Sequence, residues 1–226
     1  MVLALASLAC PIPASAQSKS MQKRVSACFL QSLKAQQAVL EKEGREEFVQ
    51  NLPADIRLQE AVKSADVARY QEMVWAAWCD ANRNLQEQKL IGAEDLQLGR
   101  SDAWNLPGCL EPNAVMPYYY GKKGETADGK LPLYLYLHGS GPKEAEWQTG
   151  IRLGQSFQDA PSVYFIPQIP NEGEYYRWWH LSKQYAFEKL IRQGLVSGEV
   201  DANRLYVFGI SEGGYGSQRL ASFYAD

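Results

Sequence analysis

Val207-Phe208-Gly209-Ile210-Ser211-Glu212-Gly213-Gly214-Tyr215 is a short apolar run that breaks into a glycine-flanked serine and then into a helical pattern. It reads as a nucleophile elbow. A serine held in a strained strand-to-helix turn leaves no room for side chains two positions before and after it, which is why Gly209 and Gly213 flank Ser211. Three fixed positions of this kind arise by chance in about one chain in fifteen of this length, so the context has to carry the reading. Before the motif, Asn203-Arg204-Leu205-Tyr206-Val207-Phe208 is rich in aliphatic and aromatic residues, as strands are. After it, Tyr215 to Tyr224 takes a helical pattern. The plain alternative is a serine that merely opens a helix after a glycine turn.

A second motif weighs against that alternative. Leu131-Pro132-Leu133-Tyr134-Leu135-Tyr136-Leu137 is nearly all apolar, the pattern of a strand buried on both faces, and it runs directly into His138-Gly139-Ser140-Gly141-Pro142. Small residues there let backbone N–H groups approach a substrate carbonyl, as an oxyanion loop requires; one such donor is worth roughly 3 to 4 kcal/mol of barrier.

The chain has 226 residues, 46% of them hydrophobic and 12% aromatic, ample for a packed core. A net charge of −3 without a Lys/Arg cluster argues against nucleic acid or an anionic membrane surface as the partner. Met1 to Ala16 is an apolar stretch ending in Ala14-Ser15-Ala16, the small-x-small form of a signal-peptidase site, so residues 1–16 read as an export signal. The product would be periplasmic or extracellular, with no integral membrane segment after removal. Lipid anchoring at Cys10 is the weaker alternative, because Ser7 stands where a branched apolar residue is usual. Cys28, Cys79 and Cys109 then remain, an odd number whose spacing fits no zinc pattern and whose pairing stays open. No metal or cofactor is implied.

From about Ser20 to Phe48 and from near Pro53 to Leu90, apolar residues recur at helical spacing, predicting a helical extension over 17–105. Pro107-Gly108 marks the change to strands, and residues 106–226 form the second domain. Val115 to Tyr120 and Leu131 to Leu137 read as two neighbouring strands. A helix follows near Glu144 to Phe157, then a strand at Ser162 to Pro167 and a helix from Ser182 to Leu195. Between the last two lies Asn171-Glu172-Gly173-Glu174-Tyr175-Tyr176-Arg177-Trp178-Trp179-His180. Loops after the strands of an open α/β sheet lie on the ligand side, so Tyr176, Trp178 and Trp179 are candidates to wall a pocket, with packing beneath the extension the equal alternative.

This order of elements, with Val200-Asp201-Ala202-Asn203-Arg204-Leu205-Tyr206-Val207 leading into Gly-Ile-Ser-Glu-Gly-Gly, resembles the first half of an α/β-hydrolase core. It is similar to the esterase branch holding polyhydroxybutyrate depolymerases, feruloyl esterases and dienelactone-hydrolase-like enzymes. The resemblance covers about residues 112 to 226. It implies an α/β fold, a mostly parallel sheet with helices on both faces, incomplete at the C-terminus and preceded by the helical extension. It implies Ser211 as the nucleophile that forms an acyl-enzyme, with the backbone N–H groups of Glu212 and of Ser140 or its neighbour as oxyanion donors; the Glu212 side chain is given no catalytic role. The substrate implied is a carboxylic ester, small or attached to a carbohydrate.

In that fold the acid and the histidine follow the serine, yet no histidine lies after Ser211. His138 belongs to the oxyanion loop, His180 is upstream in the aromatic loop, and Asp226 ends the last helix. Stopping at the elbow would also leave Arg204 to Phe208 as an apolar sheet edge. The expectation is a chain truncated at its C-terminus, with the acid and histidine lying beyond it. The alternatives are a prolyl-oligopeptidase-type peptidase, whose Gly-x-Ser-x-Gly-Gly elbow is similar but whose β-propeller finds no strand repeat over residues 20–95, and a non-catalytic binding protein on a hydrolase scaffold.

Overall fold

A computed structural model describes residues 14–43, 63–85, 96, 99–156 and 161–223. Met1 to Pro13, with Cys10 and most of the expected export signal, lie outside the described residues, as does Asp226; Ala14 to Ala16 start the first helix. The chain divides into two compact units, residues 1–88 and 89–226.

The first unit is a helix pair, α1 (Ala14–Glu43) and α2 (Val67–Asn84), the latter entered through a short 3₁₀ turn at Ser64–Asp66. Met73, Val74, Ala77 and Ala81 recur at three- and four-residue intervals and form the buried stripe of α2 together with Cys79. Gln22 on α1 donates to Asp80 on α2 at 2.9 Å. Cys28 is exposed.

The second unit contains a five-stranded sheet: β1 (Arg100–Asn105), β2 (Val115–Lys123), β3 (Leu131–Leu137), β4 (Ser162–Pro167) and β5 (Val200–Gly209), in the order β1-β2-β4-β3-β5. β4-β3-β5 is the parallel part; β1-β2 and β2-β4 pair antiparallel, so the sheet is mixed. β1 lies ahead of the boundary expected near residue 105. Only its Trp104 is buried, so as an edge strand it carries little alternation to read. β2 and β3 are not neighbours, because β4 returns from its helix into the slot between them. The seven residues 124–130 easily span the two strand spacings, of about 4.8 Å each.

The Leu/Tyr alternation of β3 sorts the two faces. Leu133, Leu135 and Leu137 point to the face where Ala186, Phe187 and Leu190 of α4 (Leu181–Val196) and Leu220 of α5 (Glu212–Phe223) pack. Tyr134 and Tyr136 point to the other, under Trp147 and Ile151 of α3 (Lys143–Ser156). Gly150 and Gly154 let α3 sit close: a Cβ at either would come within 2.7 Å of Tyr136 or 2.5 Å of Ile166. Pro132 falls at the irregularity between Leu131 and Leu133, where its missing N–H costs no regular ladder bond. A fully buried ion pair, Lys183 with Glu111, which also accepts the Ser182 hydroxyl, ties the segment after β1 to the first turn of α4. With helices on both faces of a sheet whose last three strands, β4-β3-β5, are parallel, and a helical region ahead of it in the chain, the architecture is α/β-hydrolase-like. β5 is the last strand on its side, with β3 its one neighbour among the described residues.

Candidate active site

Two residues turn the chain from β5, ending at Gly209, into α5, starting at Glu212. The second, Ser211, has φ 54°, a left-handed conformation that costs a residue with a Cβ about 1 to 2 kcal/mol. The turn is held by bonds from the Gly213 N–H to the Ile210 carbonyl at 2.9 Å and from the Gly214 and Tyr215 N–H groups to the Ser211 carbonyl at 2.9 and 3.2 Å. A Cβ at Gly209 would lie 2.5 Å from the Gly213 backbone, and one at Gly213 would lie 1.9 Å from the Leu137 carbonyl oxygen. The glycines are therefore required by β3 next door as much as by the turn. Ser211 itself is exposed beyond the C-terminal ends of the parallel strands, and no hydrogen bond engages the Glu212 N–H among the described residues.

The loop after β3 meets the elbow from the other side. His138 is fully buried. Its Nε2 accepts the Ile169 N–H at 3.2 Å, so the ring proton sits on Nδ1 and is donated to the Gly139 carbonyl at 2.6 Å. Burial holds its pKa below the usual histidine range, which keeps the ring neutral. With Nε2 engaged, His138 cannot take a proton from serine and serves to hold its loop. The Gly139 N–H donates to Glu146 of α3 at 3.2 Å, and that carboxylate fills the space a Cβ on Gly141 would need. Ser140 is exposed, and its N–H makes no hydrogen bond among the described residues. His180 caps the start of α4 without a side-chain bond to the helix; its Nε2 pairs with the Glu174 carbonyl at 2.7 Å and its ring meets Tyr175.

The aromatic loop divides by depth. Trp178 is 1% exposed and donates its indole N–H to the His138 carbonyl at 2.8 Å, while its backbone N–H donates to the Glu212 carboxylate at 3.1 Å. Tyr176 is buried and donates its hydroxyl to the Gly141 carbonyl at 2.8 Å. Burial, with the carboxylates Glu146, Glu172 and Glu212 nearby, pushes its pKa up to about 12, so the donor persists at ordinary pH. These two residues support the His138–Gly141 loop from beneath. Trp179 is exposed, edge-on to Tyr215 at 6.2 Å and under the Arg177 guanidinium. Together with exposed Ile210, the Trp179 and Tyr215 side chains make an apolar rim beside Ser211.

The chain is similar to a thermostable esterase of known structure, with 24% identity and a TM-score of 0.45 over 56% of this chain. The match spans 38% of the esterase's length. No family profile and no curated protein matches the chain. Among the described residues no group of three or more His, Cys, Asp or Glu is placed to hold a metal, and no helix is long and apolar enough to cross a membrane.

The supporting roles of Glu146 and the Glu212 side chain were not legible in the sequence. Both act on backbone groups of loops distant in the chain, and no local pattern announces such a bond.

Proposed function

We propose that this chain carries the nucleophile half of an exported serine hydrolase that cleaves carboxylic esters. Ser211 attacks the acyl carbon, the carbonyl π electrons move to oxygen, and the N–H groups of Glu212 and Ser140 receive the oxyanion. The Ser211 hydroxyl proton, taken up by a base during the attack, is passed to the departing oxygen, so that expulsion of the alcohol leaves an acyl-serine, which water then hydrolyses. The exposed rim of Trp179, Tyr215 and Ile210 lines the substrate's approach. The single observation that carries the reading is the left-handed Ser211 between two glycines whose places are closed to any Cβ by the backbone of β3 and of the elbow itself. Strain of this kind persists only where surrounding structure enforces it, and it clusters at reactive residues.

The proton acceptor must come from elsewhere, since His138 is engaged at both nitrogens and His180 is turned to the Glu174 carbonyl. We assign the acid and the histidine to chain beyond residue 226, a reading supported by the exposed Leu205 and Tyr206 on the outermost strand. The engaged histidines also suit a second reading, a binding protein on the same scaffold. Hydrolysis of a p-nitrophenyl ester by the full-length protein, abolished in Ser211→Ala, is the expected result; an intact, folded full-length protein without turnover would leave the binding reading in its place.

A further inference from the structure

The two backbone donors assigned to the oxyanion hang from the ends of neighbouring strands. The β3–β5 pairing ends at Leu137 and Gly209, followed by one long bond from the Ile210 N–H to the Leu137 carbonyl at 3.4 Å. Past that point the His138–Gly141 loop and the elbow diverge, so strand pairing alone does not set the separation of the Ser140 and Glu212 N–H groups. Both must come within about 2.7–3.1 Å of a single oxygen, a tolerance of a few tenths of an ångström.

Trp178 spans the gap. Its backbone N–H donates to Glu212 Oε1 at 3.1 Å on the elbow side, and its indole N–H donates to the His138 carbonyl at 2.8 Å on the loop side. Its ring meets the His138 imidazole edge-on at 4.9 Å and Phe187 at 5.5 Å. On the elbow helix, Gly216 makes room for it: a Cβ there would lie 2.4 Å from that of Trp178. Trp178 and Glu212 are both buried, so water does not compete for these bonds, and the one to the carboxylate is charge-assisted.

We infer that the Glu212 carboxylate is a positioning residue that acts through Trp178 on the His138–Gly141 loop and holds the two oxyanion donors in register. It touches no reacting atom. In this role Glu212 needs an acceptor oxygen at Oε1, so glutamine can replace it in kind and alanine cannot. The catalytic consequence rests on the ester-hydrolase reading, whereas the mechanical coupling does not.

The test therefore has two arms. In the 226-residue chain, amide hydrogen exchange is followed at Gly139 and Ile169, whose N–H groups are bonded to Glu146 and to the His138 ring. Glu212→Ala is expected to speed exchange at both by about tenfold, although neither touches Glu212, and Glu212→Gln to restore most of the protection. Trp178→Phe, which keeps an aromatic ring but lacks the indole donor, is expected to do the same, and it serves if the alanine variant does not fold. Unchanged exchange at Gly139 and Ile169 while the Trp178 amide is freed overturns the coupling. In the full-length protein, Glu212→Ala is expected to lower kcat roughly tenfold to a hundredfold with KM within about twofold, and Glu212→Gln to recover most of that loss. A raised KM with kcat intact overturns the positioning role. Absence of turnover in the unsubstituted full-length protein counts against the ester reading alone, and the exchange arm still decides the coupling.

Discussion

Replacing Gly213 with alanine puts a methyl group where the structure has the end of β3. The added Cβ would stand 1.9 Å from the Leu137 carbonyl oxygen, 2.6 Å from its carbon and 2.9 Å from the His138 carbonyl oxygen. These are backbone atoms, and no rotamer change relieves them. Either the last residues of β3 or the first turn of α5 must recede by about 1 Å to reach even the closest tolerated carbon contacts. Neither is free to do so. Leu137 is fully buried and paired with Gly209, and the Gly213 N–H is bonded to the Ile210 carbonyl. Overpacking typically costs 1–3 kcal/mol, and a clash with two fixed backbones belongs at the upper end, about 3 kcal/mol. Gly214, one residue on, is the internal control. The nearest atom to its added Cβ is the Gly209 carbonyl oxygen at 3.7 Å, an ordinary contact, and the position lies inside α5. There alanine should gain up to about 1 kcal/mol from helix propensity and reduced chain entropy. Urea unfolding, followed by the near-ultraviolet circular dichroism of the buried aromatic residues, should thus separate Gly213→Ala from Gly214→Ala by about 3 to 4 kcal/mol. Equal midpoints for the two variants would refute the packing of the elbow against β3.

Ser211→Gly should raise the melting temperature, by relief of about 1 kcal/mol of left-handed strain, whereas Ser211→Ala keeps the Cβ and should not; equal melting of the two would mean that the elbow carries no strain. His138 supplies a pH signature. Its folded pKa lies below its unfolded value of about 6.5, so its contribution to stability is complete above that value and is lost as pH falls through the folded pKa. The stability margin of the protein over His138→Leu should therefore shrink between about pH 7.5 and pH 5; a margin that grows on acidification would mean that the ring is charged in the fold.

Much of this architecture was legible from local pattern. The spans of β3 and β4 agree with the apolar runs that predict them, and α3 to α5 lie within a few residues of their expected places. β1 was not legible, because one buried residue, Trp104, gives no alternation. Nor was the insertion of β4 between β2 and β3, since strand order depends on which edges meet after the helices have packed. Proximity in sequence had suggested the wrong pair of neighbours.

At the site, the turn follows from local sequence. A serine between glycines at that spacing, after an apolar strand and before a helix, is a local steric solution, complete within nine residues. Tertiary structure alone decided what the turn leans on. Gly213 is closed by the backbone of β3, the Gly139 N–H is taken up by Glu146, and Trp178 turned inward to join the elbow to the His138 loop while Trp179 stayed outside. Two adjacent tryptophans carry no local signal of which one will be buried. The choice falls to the one whose N–H groups find the Glu212 carboxylate and the His138 carbonyl, and those partners come together only when the sheet has brought β3 and β5 side by side.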